Sequence, residues 1–151
     1  MSAIIVQGRA EVFAPTGRLP GPTVYVDQRR IYGAGASYKF GAWTAMALYT
    51  NTRSTLQAQS ATDQVVRAGV TYLAAPDILF SVMQSYDKLG EYRWYSSYAS
   101  ATYFLSKRTR VYADVAYQKA TGAGAVASIY QIDPSSTNQQ GLVRVGLLHQ
   151  F

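Results

Sequence analysis

Cysteine is missing from all 151 residues, so neither disulfides nor thiolate metal sites are open to this chain. Histidine occurs once, at His149. A lone His with no identifiable partner makes neither a metal site nor a catalytic triad, and an aromatic role at an interface suits it better. Acidic residues are scarce, eight against fourteen basic ones. Asp77, Asp87 and Glu91 show no paired spacing of the kind that acid–base chemistry uses. No apolar run reaches the ~18 residues that a membrane-spanning helix requires. No helical pattern follows Gly33-Ala34-Gly35, which excludes a phosphate cradle. These absences leave no catalytic set and imply no cofactor and no metal. The net charge of +6 is scattered. Beyond Lys107-Arg108-Thr109-Arg110 there is no basic cluster, which argues against nucleic acid. Lys107, Arg108 and Arg110 read as solvated turn charges, with lipid head groups as the sharper alternative.

What the chain has in abundance is tyrosine, 13 residues beside five Phe and two Trp. A buried core favours Phe and Leu, whereas amphipathic Tyr favours boundaries between water and an apolar phase. The second abundance is alternation with a period of two, the mark of strands with unlike faces. Ile31 to Phe40 sets Tyr32, Ala34, Ala36, Tyr38 and Phe40 against Gly33, Gly35, Ser37 and Lys39. The same reading gives strands at Ile4–Phe13, Trp43–Thr50, Gln64–Leu73, Ile78–Tyr86, Tyr92–Leu105, Val111–Gln118 and Leu142–Phe151. Gln84 is an exception on its apolar side. Between the strands, the Pro- and Gly-rich Ala14–Gln28 reads as a loop. Asn51–Thr62, Asp87–Glu91 and Ala120–Asn138 also read as loops, and residues 40–42, 74–77 and 106–109 as tight turns. One domain, 1–151, is expected, with residues 1–30 supplying one strand and a loop.

Alternation alone fits a soluble sandwich as well as a membrane barrel. Three features favour the barrel. Short and long connections alternate, as in barrels with turns on one rim and loops on the other. Aromatics gather at the strand ends: Tyr38, Phe40, Trp43, Tyr72, Phe80, Tyr103 and Phe151 toward the short turns, and Tyr32, Tyr49, Tyr86, Tyr95 and Tyr117 toward the loops. Between these bands lie Ala and Val, as in a lipid-facing belt flanked by two interfacial girdles. The opposite faces carry Arg9, Glu11, Lys39, Arg67, Asp114, Gln118 and Arg144, which a wet lumen accepts and hydrocarbon does not. The candidate pore-lining residues are therefore Arg67, Asp114, Arg144, Lys39, Tyr112 and Gln118. The expected fold is all-β, an antiparallel up-and-down transmembrane β-barrel with seven or eight strands here. Two alternatives stay open: a small non-conducting barrel with a structural or adhesive role, and a soluble all-β binding domain.

Tyr32-Gly33-Ala34-Gly35-Ala36-Ser37-Tyr38, Tyr103 to Ala113 with its Leu-Ser-Lys-Arg-Thr turn, and Val145-Gly146-Leu147-Leu148-His149-Gln150-Phe151 resemble the C-terminal half of Gram-negative general porins of the β-proteobacterial type. The resemblance spans roughly Ile31 to the end. It implies a 16-stranded barrel in the bacterial outer membrane, surrounded by lipid, usually homotrimeric, passing small hydrophilic solutes passively. Phe151 resembles the C-terminal signal through which such barrels engage the barrel-assembly machinery. On this reading the chain supplies the last eight strands, and the inward-folded loop that narrows family pores lies in the other half. Leu148 departs from the pattern, since family members often carry a basic residue there. Met1 to Val6 has no basic residue before its short apolar patch and makes a poor secretory signal. Either an export signal lies upstream of Met1, or the barrel reading fails.

Overall fold

The structure is a computed structural model that describes residues 2–12, 24–56, 59–129 and 132–151, with side chains described from Arg29 onward apart from residues 56–59 and 130–131. Eight strands follow one another: β1 (Ser2–Val12), β2 (Val24–Phe40), β3 (Trp43–Leu56), β4 (Gln59–Ala75), β5 (Ile78–Leu89), β6 (Tyr92–Phe104), β7 (Thr109–Thr121) and β8 (Gln139–His149). They form a single antiparallel sheet in chain order, each strand paired only with its neighbours in sequence. The fold is all-β and up-and-down, as expected, and the sheet is open, with β1 and β8 as its edges.

The strands outrun the expected ones. Asn51–Thr62 is not a long loop. β3 and β4 continue as a ladder through Thr52↔Asp63 and Ser54↔Ala61 to Leu56↔Gln59. No Gly or Pro interrupts residues 50–66, and Thr50, Thr52 and Thr55 are β-branched, so a polar sequence here still favours extended backbone. Polarity reports the solvent around a hairpin, not the loss of its ladder. Asp87–Glu91 likewise shrinks to a turn, because β5 runs to Leu89 and β6 restarts at Tyr92. Gly90 holds φ 59° there and Gly41 φ 58° in the β2–β3 turn, a left-handed conformation that other residues adopt only at a cost. β2 begins at Val24 and pairs with Val12, inside the stretch expected to be a loop. The side chains of Arg9 and Glu11, assigned from sequence to a polar face, lie outside the described ones.

Directly paired residues share a face, so the register traces bands across the sheet. Phe40↔Trp43, Trp43↔Tyr72 and Tyr72↔Phe80 make one aromatic band beside the short turns. Trp43 stacks on Tyr72 with centroids 4.3 Å apart. Tyr49↔Val66, Val66↔Tyr86 and Tyr86↔Tyr95 make the second band. Between them run Ala45↔Val70, Val70↔Val82, Val82↔Ala99, Ala99↔Val115 and Val115↔Val143. This belt lies open: Val145 is 77% exposed, and Val82, Val115, Val143 and Leu147 are all exposed. An apolar face so uncovered is out of place in water and in place against hydrocarbon.

The small buried core lies on the other face. Trp94, Ala120 and Ala125 are its centre, with Leu89 and Tyr92 packed around them. The described parts of the β7–β8 loop, residues 122–129 and 132–138, fold over this face at the end away from the tight turns.

Candidate functional site: the polar wall and its loop

The face opposite the belt carries a continuous polar row. Lys39 pairs with Thr44, Thr44 with Thr71, Thr71 with Ser81, Ser81 with Ser100, Ser100 with Asp114, and Asp114 with Arg144. Seven consecutive strands thus each present a charged or hydroxyl side chain at one level. Alternation does this: each belongs to the strand parity opposite the Ala/Val belt. Such a row offers hydrogen bonds to water and to polar solutes along one line.

Asp114 is the best-satisfied group in it. Ser100 Oγ donates to its Oδ1 at 2.7 Å, and Arg144 reaches Oδ2 through Nη2 at 2.6 Å and Nε at 3.1 Å. The Arg144 guanidinium also lies over the Tyr112 ring, 5.4 Å from its centroid. Tyr112 in turn crosses Gly146, its register partner. Two charges expected separately on the pore wall are therefore one neutral pair. Lys39 and Arg67 are exposed on the same face, with no ion-pair partner among the described residues. Arg110 is exposed near the tight-turn end, paired in register with Leu148. Within the row the uncancelled described charge is Lys39, and Arg67 and Arg110 stand elsewhere on the same face.

Gln118 differs from the expectation. It is on the polar face, but it is 0% exposed because the β7–β8 loop covers it. Its Nε2 donates to Ser96 Oγ at 2.9 Å and its Oε1 accepts the Ser128 N–H at 2.7 Å. Gln140 repeats the device, accepting the Ile129 N–H at 2.7 Å while donating to the Asp133 carbonyl at 2.7 Å. Trp94 Nε1 donates to the Val126 carbonyl at 3.0 Å. Backbone bonds Ala120 N–Asn138 O at 2.7 Å and Ala127 N–Thr137 O at 3.0 Å complete the fastening. A backbone segment buried against a wall must have its polar groups satisfied, and the two glutamines and the indole supply what a ladder cannot. An inward-folded loop therefore exists within this chain, where the sequence reading placed none.

Among the described residues of the belt, the polar pair at Gln84 and Ser97 is self-contained, since Gln84 Nε2 donates to Ser97 Oγ at 2.8 Å across the register pair. His149 sits at the rim, its Nδ1 2.8 Å from Thr109 Oγ1 and its ring edge-on to Phe151 with centroids 4.8 Å apart. Lys107 and Arg108 are exposed in the β6–β7 turn. Among the described residues no three His, Asp or Glu side chains gather as metal ligands would.

Thr44, Thr71, Ser81 and Ser100, together with Trp94, Ser96 and Gly146, were not singled out from sequence. Hydroxyls recurring on the non-belt parity of successive strands were the available signal. Their alignment into one row needs the register, which a single strand does not disclose.

A family model of Gram-negative porins matches residues 7–123. The chain belongs to the Gram-negative porin family. The open belt, the girdles and the polar face are what a porin wall presents to lipid and lumen, and the family places this porin in the bacterial outer membrane as a channel-type protein, not in an enzyme family. No curated protein matches it. The family match ends inside the β7–β8 loop, so the terminal motif Val145–Phe151 lies outside the matched residues.

Proposed function

We propose that this porin forms the wall of a passive diffusion channel for small hydrophilic solutes and ions. The observation that carries the reading is the polar row from Lys39 to Arg144, backed across the same strands by an exposed apolar belt between two aromatic bands. Solutes pass because they exchange water for hydroxyls and charges of similar strength. Lys39, Arg67 and Arg110 favour anions, while the cancelled Arg144 and the apolar Leu148 keep that preference weak.

The open edges support a barrel completed by further strands, sixteen in all as in general porins, with the homotrimeric assembly usual there. An eight-stranded barrel is filled by its own side chains. Gly33, Gly35, Gly69, Ser81 and Ser100 on the polar face are too small to fill one. Phe151, exposed at the tight-turn rim, suits the role of assembly signal toward the barrel-assembly machinery. Planar-bilayer recording tests the function. Steady unitary steps and swelling of proteoliposomes in small sugars, falling off with sugar size, are expected. An inserted protein that is electrically silent and impermeable contradicts the reading and favours a structural barrel.

A further inference from the structure

Gly146 occupies a place that any side chain would contest. A Cβ there would lie 2.5 Å from Tyr112 Cζ and 2.9 Å from Cε1, so the phenol end of the ring occupies the space over the glycine. From that seat the ring carries the Arg144 guanidinium on its face, within cation–π range. The register sets these residues as two adjacent pairs, Tyr112↔Gly146 and Asp114↔Arg144. Arg144 is thus held from below by the ring and from the side by the carboxylate, which Ser100 fixes on its other oxygen.

We infer that Gly146 and Tyr112 are positioning residues for ion selectivity: the ring seated on Gly146 keeps Arg144 against Asp114, so one lumenal cation is silenced. This rests on the channel reading above. The colliding atoms in any Gly146 replacement belong to the end of a side chain with two free torsions, so the ring swings away and the backbone stays. Arg144 then loses its seat and its charge is presented to passing ions.

The test uses the full chain in lipid bilayers, with reversal potentials in a KCl gradient for the wild type, Gly146→Ala, Tyr112→Phe, Tyr112→Ser and Asp114→Asn. One additional unpaired charge about 10 Å from the ion path favours chloride and disfavours potassium by about two-fold each, and so changes the chloride-to-potassium permeability ratio roughly four-fold in water-like surroundings. Asp114→Asn, which removes the compensating charge, is expected to raise the ratio by that order. Gly146→Ala and Tyr112→Ser, which free Arg144 but leave Asp114 charged on the wall, are expected to raise it by a smaller factor in the same direction, and Tyr112→Phe, which keeps the ring, to leave it at the wild-type value. A double variant Gly146→Ala/Asp114→Asn is expected to add nothing to Asp114→Asn. In NMR spectra of the wild type, a Gly146 Hα is expected upfield, shielded by the Tyr112 ring, and to lose that shielding in Tyr112→Ser. A conducting wild type with Gly146→Ala unchanged in selectivity, or a Gly146 Hα without ring shielding, overturns the inference and leaves the channel standing. A silent wild type overturns both. If Gly146→Ala does not fold, Tyr112→Ser against Tyr112→Phe decides alone, and equal ratios for the two overturn it.

Discussion

Ser81 and Val82 are neighbours on β5 whose side chains leave opposite faces, one into the polar row and one into the open belt. An arginine at each therefore meets a different solvent. Val82→Arg is expected to destabilise the folded protein by about 2–4 kcal/mol, the cost of that charge near the middle of a bilayer. Ser81→Arg is expected to leave stability nearly unchanged and to increase anion preference. Urea unfolding in lipid vesicles checks both, and equal costs would contradict the face assignment. Gly69→Ala is a different kind of change. Its Cβ would stand 2.9 Å from the Val82 carbonyl oxygen. A strand carbonyl has nowhere to swing, so a loss of about 1–3 kcal/mol from overpacking is expected in the same assay. At this scale the sequence was informative about faces. Alternation alone put Lys39, Arg67, Tyr112, Asp114 and Arg144 on the polar side. It did not disclose that Asp114 and Arg144 cancel, because their pairing depends on where β7 and β8 fall in register. It did not disclose the burial of Gln118, which comes from the loop at Ser128, ten residues on in sequence, and not from the strand itself.

The β7–β8 loop is an element that lies against the wall without joining the ladder, and its fastening is localised in Trp94, Gln118 and Gln140. Gln118→Leu removes the acceptor for the Ser128 N–H and the donor to Ser96. Hydrogen exchange at the Ser128 amide is expected to accelerate roughly ten- to hundred-fold, from the cost of leaving such a group unmet. Strand amides of β5 should not change, and parallel acceleration there would mean that the loop and the wall unfold together. The loop was legible as a long Gly-, Ser- and Thr-rich connection, but its direction was not. A small residue such as Ala125 gives no sign in sequence of the Trp94 and Ala120 it packs against. The upper hairpin of β3 and β4 was misread for the converse reason. Above the second aromatic band the strands are polar on both faces, so the alternation that marks a strand disappears while the ladder continues.

The whole molecule is an amphipathic sheet with two unlike solvents, and every functional statement about it depends on which face meets lipid. The girdles, the open belt and the polar row all give the same answer, although each was visible in sequence only as a tendency within single strands. Pairing of the strands into one sheet turned those tendencies into continuous bands. The missing cysteines make the decisive measurement clean. Single cysteines placed in turn at Tyr112, Ala113, Asp114, Val115 and Ala116 and spin-labelled in lipid vesicles report their surroundings through relaxation by oxygen, which concentrates in hydrocarbon, and by a water-soluble nickel complex. The account predicts high oxygen and low nickel exposure at Ala113 and Val115, with the reverse at Tyr112 and Asp114. Oxygen exposure at Asp114 with nickel exposure at Val115, or no alternation along β7, would contradict it.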